Sequence, residues 1–165
     1  MVAANISLIY FPVRARAECA RMILSYGSIP FTDTNCQEYF GMSFAEAKTA
    51  GKLPFGQLPL LSIDNKTLIA QSGAIDRYLA SLVVTPGFVP ADSETRAQCD
   101  MIYETVEDLI KIMPIVNVWR GDKWKQEKDE YFNKTLPGAF GDQPAVTSCQ
   151  GLFDRKTSLP GRTAR

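Results

Sequence analysis

The fold of this chain is decided by residues 60–72, which read Leu60-Leu61-Ser62-Ile63-Asp64-Asn65-Lys66-Thr67-Leu68-Ile69-Ala70-Gln71-Ser72. The apolar run at 60–63 predicts a buried strand, and residues 67–70 predict its hairpin partner across a tight turn at Asp64-Asn65. Ser72 is a favoured N-cap residue, and we expect a helix from there to about Leu82. This stretch therefore predicts a β-β-α unit.

The segment before this unit predicts a β-α-β arrangement. An apolar run at 6–11 indicates a first strand, and residues 15–26 have the apolar spacing of a helix that Gly27 ends. Residues 29–33 predict a second short strand. Residues 36–51 have a mixed pattern, in which a helix is expected over 44–50.

The segment after the unit predicts helices alone. Residues 85–90 include two prolines and a glycine and are typical of a linker. Asp92 or Ser93 can cap a long helix, which Pro114 is expected to kink or end. The buried face of this helix is predicted from apolar residues at helical spacing. They are Ile102, Val106, Leu109, Ile110 and Met113.

A second helix is expected within residues 119–136, with Trp124, Tyr131 and Phe132 buried. The element order predicts an α/β thioredoxin-like N-terminal domain followed by a partial all-α C-terminal domain. We place these domains at 1–84 and 85–137. Residues 138–165 lack apolar periodicity and are expected to form a divergent, disordered tail.

The composition argues against several classes of function. The chain has 18 basic and 18 acidic residues, so neither nucleic acid nor an acidic membrane surface is expected as a partner. It has no histidine, and no metal site is expected. The four cysteines are scattered without a C-x-x-C pair, which disfavours a dithiol centre and suggests a reducing, cytoplasmic compartment. The N-terminal apolar run is too short for a membrane span.

Four local patterns, in this order and spacing, carry a family resemblance. They are Tyr10-Phe11-Pro12-Val13-Arg14-Ala15-Arg16-Ala17-Glu18, then Leu53-Pro54-Phe55-Gly56-Gln57-Leu58-Pro59-Leu60-Leu61, then Gln71-Ser72-Gly73-Ala74-Ile75 followed by Arg77-Tyr78-Leu79, and the acidic run at 104–108. Together they resemble the cytosolic glutathione transferases, closest to the sigma-like group that uses tyrosine, over about residues 7–136. The resemblance implies glutathione as co-substrate, without a tightly bound cofactor.

By this resemblance Tyr10 and Arg16 are the catalytic residues, and Tyr10 also contacts glutathione. Its hydroxyl, at a strand end, can donate a hydrogen bond to the thiol sulfur and favour the thiolate. Without the other patterns, Tyr10 would be interpreted as a half-buried tyrosine that ends a strand. Arg16 is implied to steady the tyrosine and the glutathione, and the alternative is a surface arginine paired with Glu18.

The resemblance assigns the backbone of glutathione to two segments. Pro59 stands where the thioredoxin-like fold has a cis proline, after which Leu58 can pair with the cysteinyl part like an added strand. Gln57 belongs to the same binding segment. Gln71 and Ser72 precede a helix whose unpaired N–H groups suit the γ-glutamyl carboxylate. An ordinary loop proline and a plain helix cap are the alternatives.

The resemblance also places Phe44 and Lys48 at the glycyl end of glutathione. Asp100 would reach into the site of a neighbouring subunit, which requires a homodimer; the alternative is an exposed helix aspartate. Two residues depart from the family pattern, because Ala15 stands where glycine is common and Phe44 where tryptophan is common. The resemblance stops near Leu136, and the rest of the chain does not read like the further helices of the family.

The function implied is a transferase that activates the glutathione thiol for attack on a small hydrophobic electrophile, as in detoxification by conjugation. Two alternatives stay open at this point. One is a glutathione- or hydrophobe-binding protein with little catalysis, and the other is an inactive truncated transferase. The natural electrophile is not indicated, because its pocket in the family comes largely from the helices after the N-terminal domain.

Limited proteolysis tests the expected tail. We expect rapid cleavage between Gly138 and Arg165 and a resistant core that ends near Leu136, because the tail offers no apolar face for packing. Full protection of residues 138–165 would contradict this expectation.

Overall fold

The first part of the chain contains a mixed β-sheet. A computed structural model describes residues 4–112 and 123–140. The chain consists of two units, Met1–Val89 and Pro90–Arg165, and the sheet lies in the first. The strands are β1 (Ile6–Ile9), β2 (Thr32–Thr34), β3 (Leu60–Ile63) and β4 (Thr67–Ala70). Their order in the sheet is β2-β1-β3-β4; β1 and β2 are parallel, and the other two pairs are antiparallel.

The hairpin expected at residues 60–70 is confirmed. Asp64 and Asn65 have φ angles of 52° and 54°, the left-handed conformation of a turn whose twist matches its flanking strands. The Lys66 N–H donates to the Ile63 carbonyl at 3.0 Å and closes the turn. Asp64 also accepts a hydrogen bond from the Asn5 N–H at 2.7 Å, which ties the turn to the start of β1.

Helices cover both faces of the sheet. The helices of the first unit are α1 (Glu18–Tyr26), α2 (Cys36–Phe40), α3 (Phe44–Thr49) and α4 (Ser72–Leu82), and a 3-10 turn at Ala15–Ala17 precedes α1. One buried cluster joins the sheet to α1 and α4, and a second joins it to α2 and α3. The predicted thioredoxin-like α/β domain is therefore confirmed.

The alternation of side chains along β1 divides the core between the two faces. Leu8 and Tyr10 lie in the cluster with α1 and α4, whereas Ile9 lies in the cluster with α2 and α3. Leu8 and Ile9 are fully buried, as expected for a strand covered on both faces. Each such side chain contributes about 1.5–3 kcal/mol by leaving water.

Two boundaries in this unit differ from the prediction. The second strand was expected at 29–33 but lies at Thr32–Thr34, because Ser28 has a left-handed φ of 51° and the Ile29 N–H turns back to the Leu24 carbonyl. Gly27 ends α1 as predicted. The expected helix at 15–26 starts as a 3-10 turn, since Ala15 has a φ of 34° that is incompatible with an α-helix.

Helix α2 was missed in the mixed segment at 36–51. It starts at an Asn35 cap, whose side chain accepts from the Glu38 N–H at 3.1 Å. It ends at Gly41, which has a left-handed φ of 72°. Asn35 and Gly41 are residue types that typically begin and end helices, so both boundaries could have been predicted from the sequence. The helix between them was missed because it is only five residues long and has little periodicity.

The second unit is helical in the part that the structure describes. Its helices are α5 (Ser93–Ile112), α6 (Lys123–Glu130) and α7 (Leu136–Phe140), with a π-helical segment at Tyr131–Thr135 between the last two. Asp92 caps α5, because its carboxylate accepts from the Thr95 N–H at 2.7 Å. Helix α7 extends past Gly138, where the helical pattern was expected to end. Met113, Pro114 and residues 141–165 lie outside the described residues.

Burial in this unit agrees only partly with the expected apolar faces. Leu109 and Tyr131 are buried, and the Tyr131 hydroxyl donates to the Leu109 carbonyl at 3.2 Å. The predicted burial of Val106 and Phe132 is wrong, since these side chains are 38% and 44% exposed. Phe132 follows Tyr131 directly and points to another side of the helix, while the Trp124 side chain lies outside the described residues.

Two further findings concern the described residues as a whole. No helix in residues 4–112 or 123–140 is long and apolar enough to cross a membrane. Within the same ranges, His, Cys, Asp and Glu side chains form no group of three or more that could hold a metal ion.

Helix α3 offers a test of pH dependence. The Ser43 hydroxyl and N–H form a capping box with Glu46, and these hydrogen bonds hold the pKa of the Glu46 carboxyl below its ordinary value. A depressed pKa adds stability above the unfolded-state pKa, and this stability is lost as the pH falls through the folded-state pKa. We therefore expect Glu46→Gln to lower the free energy of unfolding at neutral pH, and the two chains to converge in acid.

Urea unfolding at several pH values measures this difference. Glu130→Gln, at the exposed end of α6, is the matched control for the loss of one surface carboxylate. A constant difference between the Glu46→Gln chain and the parent at every pH would contradict the assignment.

Candidate active site

The strand register brings distant segments to the same end of the sheet, where β1, β2 and β4 end and β3 begins. This end of the sheet is called its edge below. Ile9 pairs with Thr34 on one side and with Leu60 on the other, and Leu60 in turn pairs with Ala70. In each strand the next residue beyond this row lies at the same end of the sheet. These residues are Tyr10, Asn35, Pro59 and Gln71. Three segments predicted to carry the site therefore meet at the same edge.

Tyr10 is held by both its backbone and its ring. Its N–H donates to the Thr34 carbonyl at 2.9 Å, and its side chain is only 7% exposed. The ring packs in the cluster with α1 and α4 and meets the Phe11 ring edge-on at 5.4 Å. No described residue forms a hydrogen bond with the Tyr10 hydroxyl, so a fixed ring presents a donor without a partner in this part of the chain.

The peptide bond between Leu58 and Pro59 is cis, as predicted. Pro59 is buried directly before β3, and Leu58 packs against both core clusters. Within the described residues, neither the N–H nor the C=O of Leu58 takes part in a backbone hydrogen bond. These two groups are available to an extended peptide that adds to the edge.

Helix α4 begins at this edge without a side-chain cap. The predicted N-cap role of Ser72 is wrong, because Gln71 occupies the cap position and Ser72 is the first helical residue. Gln71 has a φ of 75°, which turns the chain directly from β4 into the helix. Ser72 is largely buried, and no described residue bonds its hydroxyl. The first turn has no acidic residue, so its N–H groups face no competing carboxylate of this turn.

Helix α3 brings Phe44 and Lys48 to the same part of the domain. The Phe44 ring meets the Phe11 ring edge-on at 5.3 Å, which links α3 to the residue after Tyr10. The stem of Lys48 lies over Gly56, where an added Cβ would be 3.1 Å from the Lys48 Cε. Lys48 is thereby placed next to the segment that contains exposed Gln57.

The two remaining predicted residues belong to other elements. Arg16 is partly buried in the 3-10 turn before α1. Glu18, its suggested surface partner, forms ion pairs with Arg14 and with Arg21. Asp100 lies on α5, in the second unit.

A small cavity lies beside Tyr10 on the side of β2. Its volume is about 200 Å³, and its polar lining includes Arg21, Asp33, Asn35 and Glu38. Of the predicted site residues, only Tyr10 lines this cavity. The other predicted residues of the first unit therefore lie outside this cavity.

Three residues near the site were missed from the sequence. Phe11 connects the rings of Tyr10 and Phe44, Gly56 makes room for Lys48, and Arg21 bonds the backbone that follows Tyr10. The ion pair of Arg21 could have been predicted from the sequence, because Arg21 lies three residues after Glu18, at the spacing of a helical ion pair.

Comparison with known proteins agrees with this geometry. Residues 6–81 match the family model for the glutathione S-transferase N-terminal domain. The chain is 35% identical over 135 residues to probable glutathione S-transferase 6 of Caenorhabditis elegans, which covers 81% of this chain and 60% of that protein. It is 33% identical over 132 residues to hematopoietic prostaglandin D synthase of Gallus gallus, which covers 80% of this chain and 59% of that protein.

A solved structure shows the same similarity in three dimensions. Prostaglandin synthase D of Nilaparvata lugens has a TM-score of 0.67 and 27% identity, over 82% of this chain and 64% of that chain. The chain spans about 60% of the length of the relatives it matches. The family match begins at the first residue of β1 and ends inside α4, so it contains the whole sheet and its edge. The chain therefore contains a glutathione S-transferase N-terminal domain at residues 6–81.

Proposed function

We propose that the chain is a glutathione transferase that binds glutathione along this sheet edge and activates its thiol through Tyr10. The observation that carries the proposal is the fixed Tyr10 ring, whose hydroxyl has no partner among the described residues. It lies at the edge that also holds the cis Leu58–Pro59 bond and the start of α4. The thiolate then attacks a small hydrophobic electrophile.

The chemical need is a lower thiol pKa. A free thiol has a pKa near 8.5, so only a few per cent is thiolate at neutral pH. A hydroxyl that donates to the sulfur favours the anion, and a shift of about two units requires about 2.7 kcal/mol of differential stabilisation. A packed ring supplies this donor without reorganisation during the reaction.

Each part of glutathione has a proposed partner on the edge. The backbone of Leu58 pairs with the cysteinyl part, as the next strand of a sheet would. Ser72, Gln71 and the first turn of α4 bind the γ-glutamyl carboxylate through hydroxyl and N–H donors. Lys48, together with Phe44 and Gln57, receives the glycyl carboxylate, and Arg16 steadies the tyrosine and the thiolate.

Features outside the first unit belong to the same proposal. Asp100 completes the site of a neighbouring subunit in a homodimer, and the protein works in the cytoplasm. The described helices after residue 85 belong to an all-α C-terminal domain. Retention on immobilised glutathione followed by an aryl halide assay tests the function. Binding without turnover would favour a glutathione-binding protein instead, and loss of both would favour an inactive chain.

Tyr10→Phe isolates the proposed donor. The change keeps the ring and its packing but removes the hydroxyl, so we expect kcat/KM to fall about 10- to 1000-fold. The pKa of bound glutathione should rise, and its affinity should change little. Steady-state kinetics and thiolate absorbance measure these effects, with Tyr26→Phe, at an exposed position on α1, as the control. Unchanged kcat/KM and thiol pKa would rule out Tyr10 as the activator.

Gly56→Ala tests the placement of Lys48. Gly56 and Gly51 have left-handed φ angles of 62° and 68°, so alanine costs about 1–2 kcal/mol at either position. At Gly56 the new methyl would press on the Lys48 stem, whereas no described residue lies within 4 Å of the Cβ position at Gly51. We expect KM for glutathione to rise several-fold in Gly56→Ala and to stay near the parent value in Gly51→Ala.

The Lys48→Ala background completes this comparison. If Gly56→Ala acts by displacing Lys48, it should add little to KM once the lysine side chain is gone. A Gly56→Ala effect of the same size in both backgrounds would mean that the substitution acts on the backbone of the loop and not through Lys48.

A further inference from the structure

Arg21 connects α1 to β2, the outermost strand on one side of the sheet. Its side chain is 19% exposed, and its Nε donates to Asp33 Oδ2 at 2.7 Å. A second nitrogen, Nη2, lies 3.4 Å from Asp33 Oδ1, so the guanidinium faces both carboxylate oxygens. The hydrogen bond with Asp33 is the main cause of a raised Arg21 pKa, so the group is charged at every accessible pH. The guanidinium is therefore fixed in position and orientation by the sheet.

The third guanidinium nitrogen faces the segment that follows Tyr10. Nη1 lies 3.0 Å from the Val13 carbonyl, 3.3 Å from the Arg14 carbonyl and 3.2 Å from Glu18 Oε2. Its two hydrogens are shared among these three acceptors. One side chain thus joins β2, the first turn of α1 and the backbone between Tyr10 and Arg16.

The backbone held in this way is unfavourable on its own. Ala15 has a φ of 34°, in the left-handed region that costs a non-glycine residue about 1–2 kcal/mol. The φ of Ala15 sets the direction of the Arg14 carbonyl relative to the rest of the turn. Because Arg21 donates to that carbonyl and to the one before it, its bonds favour the conformation that alanine disfavours.

We propose that Arg21 is a positioning residue that holds the turn at Val13–Ala15, and through it the segment from Tyr10 to Arg16, in the conformation needed for thiolate formation. This inference rests on the proposed function. The hydrogen bonds of Arg21 go to Val13, Arg14, Glu18 and Asp33, and none of these residues is a proposed glutathione partner. Without the hydrogen bonds of Arg21 the strained turn at Val13–Ala15 would relax, and this movement would displace the Tyr10 end of the segment.

The alternative is a role in stability alone, in which Arg21 only joins α1 to β2. The two roles differ in what glycine at position 15 can restore. Glycine adopts the left-handed conformation without steric cost, so the turn would need less support from Arg21. It cannot replace the lost contact with Asp33. Recovery of the thiol pKa by Ala15→Gly is therefore specific to the positioning role.

The experiment compares four chains: the parent, Arg21→Lys, Ala15→Gly and the double variant. Lysine keeps the charge, which favours folding, but a single ammonium cannot bind both Asp33 oxygens and two carbonyls at fixed angles. We expect Arg21→Lys to lower kcat/KM about tenfold and to raise the pKa of bound glutathione, and Ala15→Gly to recover at least about threefold of the loss. Arg14→Lys, whose parent side chain is 90% exposed, is the matched control and should behave like the parent.

Two results would overturn the proposal. One is an Arg21→Lys chain that is less stable in urea but has the parent thiol pKa and kcat/KM at saturating glutathione. The other is a loss that Ala15→Gly does not reduce.

Amide hydrogen exchange separates failure of this proposal from failure of the proposed function. In the ligand-free parent, amides at residues 15–17 should exchange more slowly than in Arg21→Lys, whether or not the chain binds glutathione. Equal exchange in the two chains contradicts the positioning role. Absence of glutathione binding in the parent contradicts the proposed function, and the inference that rests on it falls with it.

Discussion

The row of backbone pairs that joins Ile9 to Leu60 and Leu60 to Ala70 is the constraint on which the rest of the domain depends. Because side chains alternate along a strand, a slip of one residue would move every buried side chain of that strand to the other face. Both faces are covered by helices, so either core cluster would lose its packing. The same row fixes where Tyr10, Pro59 and Gln71 leave the sheet, so core packing and site assembly share one register.

This arrangement lets backbone groups provide part of the proposed binding site. Several of the proposed ligands are backbone groups, namely the N–H and C=O of Leu58 and the first turn of α4. Their positions follow from the sheet and not from rotamers. Tyr10 must supply a hydroxyl for the thiol, and its ring is fixed by a backbone bond and by burial. A packed donor of this kind loses little entropy when a ligand binds.

The sequence predicted those parts of the fold that depend on local patterns. The hairpin at Asp64-Asn65, the end of α1 at Gly27 and the α/β order follow from turn residues and apolar spacing. The N-cap role of Ser72 was predicted wrongly, because Gln71, with a φ of 75°, occupies the cap position and Ser72 is the first helical residue. The φ of Ala15 and the bonds of Arg21 depend on contacts between separate elements, which periodicity does not report.

The central claim is that glutathione binds along one edge of the sheet, and backbone amide NMR of the full chain during a glutathione titration tests it most directly. The account predicts shifts at Tyr10, Leu58 and Ser72, which lie at that edge. It predicts unchanged amides at Asn5 and Lys66, which lie at the opposite edge beside the hairpin turn. Shifts centred on the turn, or a saturating titration that leaves the amides of Tyr10, Leu58 and Ser72 unmoved, would contradict it.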